Sequence, residues 1–360
     1  MINYTRRDFH HSPLVVFYEL TQACDLVCRH CRACAQPARH PEELRVDQAV
    51  TLLDQLACFP KPPMIVLTGG DPLKRTDVFD LVQRGVEAGL EVAMTPSATP
   101  LVTRDSLRRL RDAGLSRLAV SLDGVDAATH DGLRGVAGSF ERTFEILDDG
   151  RQLGLPLQVN TTITAMNVDQ VDRIADLLAP QGIVLWSVFF LIPVGRGDQL
   201  RRIGSQQYEA VFRRLWHHAR HQPYAIKTTE APHYRRFVLQ QRGDPQGGGP
   251  GDHRQRAPLG VNDGKGVMFV SHTGRIFPSG FLPIECGRFP RDSVVDIYQH
   301  SALFRQLRDP DQLQGKCGRC EFRHACGGSR ARSYAVAGDP LAEEPDCDYQ
   351  PARDRQSPAA

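Results

Sequence analysis

The sequence lacks a dominant charge. Its 360 residues carry a formal net charge of +2, so electrostatics alone argues for neither a nucleic-acid nor a membrane partner. Lysine is scarce, at positions 61, 74, 227, 265 and 316 only. The other cationic side chains are arginines, whose forks suit carboxylates and phosphates, but an arginine bias by itself assigns no ligand. No apolar run is long enough to span a bilayer, and the opening MINYTRRDFHHS lacks the apolar core of a signal peptide. A cytoplasmic protein is expected, in a compartment where thiols stay reduced. An apolar content of 41% with 24% charged residues is ordinary for a globular chain of one large or two average domains.

What the chain does have is cysteine. Of its ten, eight fall into two groups, 24/28/31/34 and 317/320/326/347. In a small secreted domain such numbers would mean disulfides, whereas in a long chain from a reducing compartment clustered cysteines bind metals or clusters. Cys58 and Cys286 stand apart and are expected to be buried structural thiols.

From residue 14 to about 222, short β-branched runs alternate with amphipathic segments. Strands are predicted at 14–20, 64–69, 90–95, 117–123, 157–164 and 184–192, with helices near 46–58, 76–88, 104–113, 140–153, 167–180 and 205–221. Six successive β-then-α units read as a parallel sheet with right-handed crossovers, either open or closed into a full or partial barrel. In both cases ligands gather past the strand C-termini. TGGDP, TPSATP, SLDG and NTTIT all occupy such positions. The Gly/Pro-rich stretch 240–260 reads as a mobile loop or linker. Two apolar runs around SHTG then form a hairpin, and 293–308 reads as helical. The organisation expected is a core at 1–225, a connecting segment at 226–260, a small C-terminal domain at 261–350 and a frayed tail at 351–360.

The spacing Cys24-x3-Cys28-x2-Cys31, directly after the first strand, wraps three thiols around one corner of a cluster. Zinc sites instead prefer paired knuckles separated by a longer span. Three protein ligands on a four-iron cube leave one iron open, as a catalytic site requires. This stretch, CDLVCRHC, resembles the signature of radical S-adenosylmethionine (SAM) enzymes, and the resemblance extends over some 180 residues. It implies a partial (β/α)6 TIM-like barrel, an α/β fold, with Cys24, Cys28 and Cys31 on a [4Fe–4S] cluster. It also implies that Gly69, Gly70 and Asp71 of TGGDP meet the methionine ammonium. Ser121 and Asp123 of SLDG would contact ribose and carboxylate, and Arg134 would pair with that carboxylate. Pro193 and Val194 of IPVGRG would lie against the adenine. His30 holds a position that is usually aromatic. Cys34 is left as a free thiol at the cluster mouth. The enzyme class implied, an oxidoreductase or lyase, cleaves SAM reductively to a 5′-deoxyadenosyl radical that abstracts a substrate hydrogen.

The second group, Cys317-x2-Cys320-x5-Cys326 with Cys347, could close a zinc site on spacing alone. Following such a core, it resembles the SPASM/twitch extension of the family, which carries auxiliary [4Fe–4S] clusters. A full extension holds two, but Arg330 and Ser279 stand where further cysteines would be. One auxiliary cluster on these four thiols is therefore expected, serving electron transfer or the fold. The segment IKTTEAPHYRRFV gathers Lys227, Glu230, His233, Tyr234, Arg235 and Arg236. It reads either as a charged surface element or as an anion-binding wall. The whole pattern resembles the haem-biosynthetic subgroup acting on iron-coproporphyrin or haem d1 precursors. That implies a tetrapyrrole substrate whose carboxylates meet the basic segment, with His233 approaching its iron, and an electron donor such as flavodoxin or ferredoxin. Radical modification of a ribosomal peptide or another small molecule is an alternative. A non-catalytic iron–sulfur electron-transfer protein is another.

Overall fold

The structure is a computed structural model that describes residues 4–243 and 260–355. Most of the expected 240–260 loop, and the tail beyond residue 355, lie outside these residues. Six parallel strands open the fold: β1 (Val15–Thr21), β2 (Met64–Gly69), β3 (Glu91–Met94), β4 (Arg117–Ser121), β5 (Leu157–Ile163) and β6 (Leu185–Phe190). The helices between and after them are α1 (Val46–Ala57), α2 (Val78–Glu87), α3 (Arg104–Asp112), α4 (Ala127–Arg134), α5 (Ser139–Gln152), α6 (Val171–Leu178) and α7 (Ser205–His221).

Both periodicities explain this architecture. On α1, Ala49, Leu52, Leu53 and Leu56 are buried, the i, i+3, i+4, i+7 stripe of a helix laid on a sheet. Each such leucine contributes about 1.5–3 kcal/mol by leaving water. Along β1, Val16, Tyr18 and Leu20 join this core, while the alternate positions Phe17 and Glu19 face the other way. That other face is polar in places. Ser121, Asn160, Ser187 and Lys227 pair in register from β4 across to β7 (Ala225–Thr229) and so share one side of the sheet. A parallel sheet covered on both faces would read as continuous apolar runs. One face here is built for a polar occupant.

The sheet does not close. Its order is β10-β9-β8-β1-β2-β3-β4-β5-β6-β7. β7 is a seventh parallel strand, followed by α8 (His233–Arg242). β8 (Val267–Val270) lies parallel to β1 and turns into β9 (Arg275–Phe277), the expected hairpin, with β10 (Gly287–Arg288) at the edge. The sheet thus continues through residue 225 instead of ending there, and it carries both cysteine groups' supports.

Several expectations differ in detail. The helix expected at 293–308 is two, α9 (Val294–His300) and α10 (Ala302–Arg308), because Ser301 takes an extended ψ of 134°. Cys58 is exposed at the end of α1, its thiol donating to the Asp54 carbonyl, and Cys286 is only half-buried. Each sits in a loop at an element's end, so neither is a core thiol. Three more helices follow, α11 (Gly315–Arg319), α12 (Arg330–Ala337) and the short α13 (Ala352–Arg355).

Candidate active site and a second cysteine site

The first cysteine group occupies a loop whose neck is stitched by Cys24 N–H to Gln36 O (2.7 Å) and Gln36 N–H to Gln22 O (3.0 Å). Cys24 and Cys28 are buried, Cys31 is half-buried and Cys34 is exposed, with φ at +47°. The first three thiols are aimed at donors. Leu26 N–H lies 3.4 Å from Cys24 Sγ, Ser97 Oγ 3.3 Å from the same sulfur, Ala35 N–H 3.4 Å from Cys31 Sγ and Arg134 Nη1 3.8 Å from Cys28 Sγ. Burial pushes the Cys24 and Cys28 thiols up; Arg134 acts against it at Cys28. The loop is braced from two sides. Arg196 donates to the carbonyls of Cys28 (2.8 Å) and Ala35 (3.0 Å), and its own N–H meets Cys31 O. Arg32 reaches Glu19 of β1 at 2.8 Å, and His272 of the C-terminal hairpin binds the other oxygen of that carboxylate at 2.5 Å. The sequence reading stopped at Pro193 and Val194 and missed Arg196, although the Gly-Arg-Gly after a strand was a signal of close approach. Gly195 has φ +56°, and a Cβ there would lie 2.6 Å from Cys31 O.

Gly69 and Gly70 are fixed by the same crowding. A Cβ on Gly69 would stand 2.4 Å from Thr21 O and one on Gly70 2.3 Å from Ala23 O, so only glycine lets the ends of β1 and β2 meet. Asp71 is wholly buried, and its carboxylate is taken up inside the protein. It accepts from Leu73 N–H (3.2 Å), Ser97 N–H (3.4 Å) and Thr99 Oγ1 (2.7 Å). It therefore positions the TPSATP loop, whose Ser97 hydroxyl donates to Gly70 O at 2.9 Å.

Past β4, Asp123 is fully buried and accepts from Thr162 N–H at 2.7 Å. Its Oδ2 lies 2.5 Å from Arg134 Nη2 and 3.7 Å from His30 Nε2. Burial alone would raise this carboxyl, but Arg134, His30 and His130 hold it below the usual range. Burial takes His30 down to about 4 and leaves its Nδ1 without a partner. His130, also taken to about 4, accepts Asp123 N–H at 3.0 Å and lies 3.2 Å from Ser139 Oγ. Between these groups lies a cavity of about 450 Å³, part of it open to solvent, onto which Gly69, Gly70, Ser97, Ser121, His130 and Arg134 face. Pro193 and Val194 do not line it. The cavity lies above the strand C-termini beside the cysteine loop. It joins glycine-bared backbone, hydroxyls and a cation, a fit for a charged, polar small molecule.

The second group surrounds a separate, narrow cavity, lined by Cys317, Cys320, Cys326 and Cys347 together with His233 and Lys316, among others. Among the described residues no three ligand-type side chains converge on a point at single-ion range; these thiols are spread around a space. Backbone N–H groups of Glu344 and Gly328 approach Cys317 Sγ (3.3 Å) and Cys326 Sγ (3.5 Å). Burial pushes Cys320 up to about 12 and raises the other three. The Cys347 loop is pinned by Arg332, fully buried, which holds Glu344 through both its oxygens at 3.1 Å and Asp346 at 3.2 Å. Arg330 donates to the carbonyls of Pro340 (3.0 Å) and Ala342 (2.7 Å), with Nη2 3.9 Å from Cys317 Sγ. An arginine thus anchors the loop where a further cysteine would have stood. Ser279 is buried, its hydroxyl accepting Phe281 N–H.

The basic segment is split by its fold. Lys227 stands exposed on β7 at the far end of the polar register row that begins at Ser121, the member of that row that faces the first cavity. The rest turns inward as α8 packs against α7. Arg236 is buried against Glu209, and Arg235 donates to the carbonyls of Ala325 and Val261. Tyr234 is buried, and Glu230, at φ +59°, accepts from Ser329 Oγ at 2.5 Å. The expected open wall of cations is not formed, because most of its members close the junction with the second cysteine site.

Comparison with known proteins agrees with this geometry. Residues 18–179 match the model of the radical SAM superfamily. An AdoMet-dependent heme synthase of Methanosarcina barkeri is 38% identical over 95% of this chain and 98% of that protein. A PqqA peptide cyclase of Rhodopseudomonas palustris is 28% identical over 95% of this chain and 89% of that protein. In fold, the chain is similar to Streptococcus suis SuiB bound to S-adenosylmethionine, with a TM-score of 0.73 at 15% identity, covering 94% of this chain and 78% of that one.

Proposed function

The chain belongs to the radical SAM superfamily, and on that premise we propose that it is a SAM-dependent haem synthase that converts propionate side chains of an iron porphyrin into vinyl groups. The observation carrying this reading is the end-to-end match at 38% identity to a protein named an AdoMet-dependent heme synthase, against 28% to a peptide cyclase. The family implies a [4Fe–4S] cluster and SAM, and no described helix is long and apolar enough to cross a membrane.

In this reading Cys24, Cys28 and Cys31 would hold the cluster, and Gly69, Gly70, Ser121 and Arg134, which face the cavity, would bind SAM; Pro193 and Val194, expected against the adenine, lie outside its lining. When bound, these groups supply a 5′-deoxyadenosyl radical, which takes a hydrogen atom from the substrate. The chain's residues do the positioning. Gly69 and Gly70 offer bare backbone at the strand ends. Arg134, held by Asp123, presents its guanidinium to the SAM carboxylate at the cavity wall, where low dielectric strengthens the pairing. His30, kept neutral by burial, can donate one N–H without adding charge. Asp71 fixes the Ser97 loop, and Arg196 and Arg32 hold the cysteine loop in place.

Changing one propionate to a vinyl group removes one CO2, one hydrogen atom and one electron. The electron needs an acceptor. Cys317, Cys320, Cys326 and Cys347 would hold an auxiliary [4Fe–4S] cluster; Lys316 in the lining suits its negative charge. Lys227, exposed at the end of the polar row, would be the substrate-side cation that meets a porphyrin carboxylate. Arg235 and Arg236 are engaged at the junction with the second cysteine site instead.

The test is to incubate reduced, anaerobically reconstituted enzyme with SAM and iron-coproporphyrin, following 5′-deoxyadenosine and CO2. Stimulation of both by the porphyrin is expected. No stimulation above the substrate-free rate, or an EPR signal of the reduced protein that SAM leaves unchanged, contradicts the reading; the second result would favour an electron carrier.

A further inference from the structure

His233 opens α8 and is fully buried, yet neither ring nitrogen has a hydrogen-bond partner among the described residues. Buried polar groups are nearly always satisfied, so an unpaired imidazole calls for a partner that protein atoms do not supply. Its ring plane is set by packing against Tyr208 and Phe212, each with a centroid distance of 4.9 Å. The ring borders the cavity onto which Cys317, Cys320, Cys326 and Cys347 face. The polar groups nearby are already engaged. Glu344 is held by Arg332 and by Ser329 N–H, Arg236 by Glu209, and Lys316 Nζ donates to Cys347 O. A neutral imidazole always carries one N–H, and the four-thiol cavity is the space the ring borders.

We propose that His233 donates a hydrogen bond to a sulfur of the group held by these four thiols, and so raises that group's reduction potential. The inference rests on the reading that the four thiols hold an iron–sulfur cluster. Reduction adds negative charge to a cluster, and an N–H aimed at a sulfur stabilises the reduced form more than the oxidised one. The bond also links α8, which follows the last core strand, to the C-terminal site. This moves His233 from the substrate's iron, where the sequence reading put it, to the auxiliary group.

The test uses the full chain with Cys24, Cys28 and Cys31 replaced by Ala, which isolates the C-terminal site. After anaerobic reconstitution this background should hold about four iron atoms per chain. EPR-monitored redox titration should then place the midpoint of His233→Leu below that of the parent, with His233→Gln between the two. Pulsed EPR of the parent should show a weakly coupled imidazole nitrogen that is absent from His233→Leu, whereas couplings to the backbone nitrogens of Glu344 and Gly328 persist in both. Comparison with His233→Gln keeps this arm decisive if the Leu variant fails to load. An unchanged midpoint, no imidazole coupling in the parent, or a strong coupling of the kind a directly bound ligand gives would each overturn the role assigned to His233. A background without iron would instead overturn the cluster reading on which it stands.

Discussion

Arg134 lies 2.5 Å from the Asp123 carboxylate and 3.8 Å from Cys28 Sγ, bridging the end of β4 to the cysteine loop. Asp123 in turn is fixed by Thr162 N–H on β5. Two strand ends and the cysteine loop are therefore tied to one buried guanidinium. Arg134→Gln removes a charge-assisted contact of ~1.5–3 kcal/mol, so the apparent affinity for SAM should fall roughly 10- to 100-fold. Calorimetric SAM binding to the reconstituted enzyme checks this; an unchanged affinity would place the SAM carboxylate elsewhere.

The thiols divide by environment. Cys28 is buried and faces Arg134, whereas Cys34 is exposed on a strained φ. Cys28→Ala should abolish SAM cleavage, while Cys34→Ala should retain it. Iron analysis of the unsubstituted protein should give about eight atoms per chain, and about four after replacement of Cys317 and Cys320. About twelve would mean a second auxiliary cluster.

His130 makes the apoprotein sensitive to acid. Burial, then Arg134, lowers it to about 4, although Asp123 and Asp131 act in the other direction; unfolded, it titrates near ~6.5. Between these values the unfolded chain binds a proton that the folded chain refuses. The stability from this group is complete above about 6.5 and is lost on acidification toward 4. At pH 5.5 the loss per such histidine is roughly 1.4 kcal/mol relative to pH 7.5. Urea midpoints of apoprotein at the two pH values should differ less in His130→Asn than in the parent; an equal difference would contradict the assignment.

Lys227 tests the substrate side. Its place in the row Ser121–Asn160–Ser187–Lys227 puts it on the face shared with the first cavity's rim. Lys227→Gln should raise KM for the iron porphyrin several-fold, by loss of a charge-assisted contact, while SAM cleavage without substrate stays unchanged. An effect confined to the substrate-free reaction would exclude this placement.

Much of this was legible in the chain. The six leading strands and most helices follow from β-branched runs and amphipathic stripes, and TGGDP carries its own reason, since no Cβ fits at Gly69 or Gly70. What stayed hidden was long-range. Ala225–Thr229 reads as a polar segment because it is an edge strand whose register only the fold reveals. Ser97 and Arg196 act on cysteines 73 and 168 residues away. Arg235 and Arg236 looked like an open anion site, and only α8's packing against α7 shows that their charges are consumed internally.

The central claim is tested most directly by stoichiometry. With iron-coproporphyrin as substrate, the account predicts one 5′-deoxyadenosine per CO2 released, both abolished in Cys28→Ala. SAM cleavage that proceeds without CO2 release would contradict it.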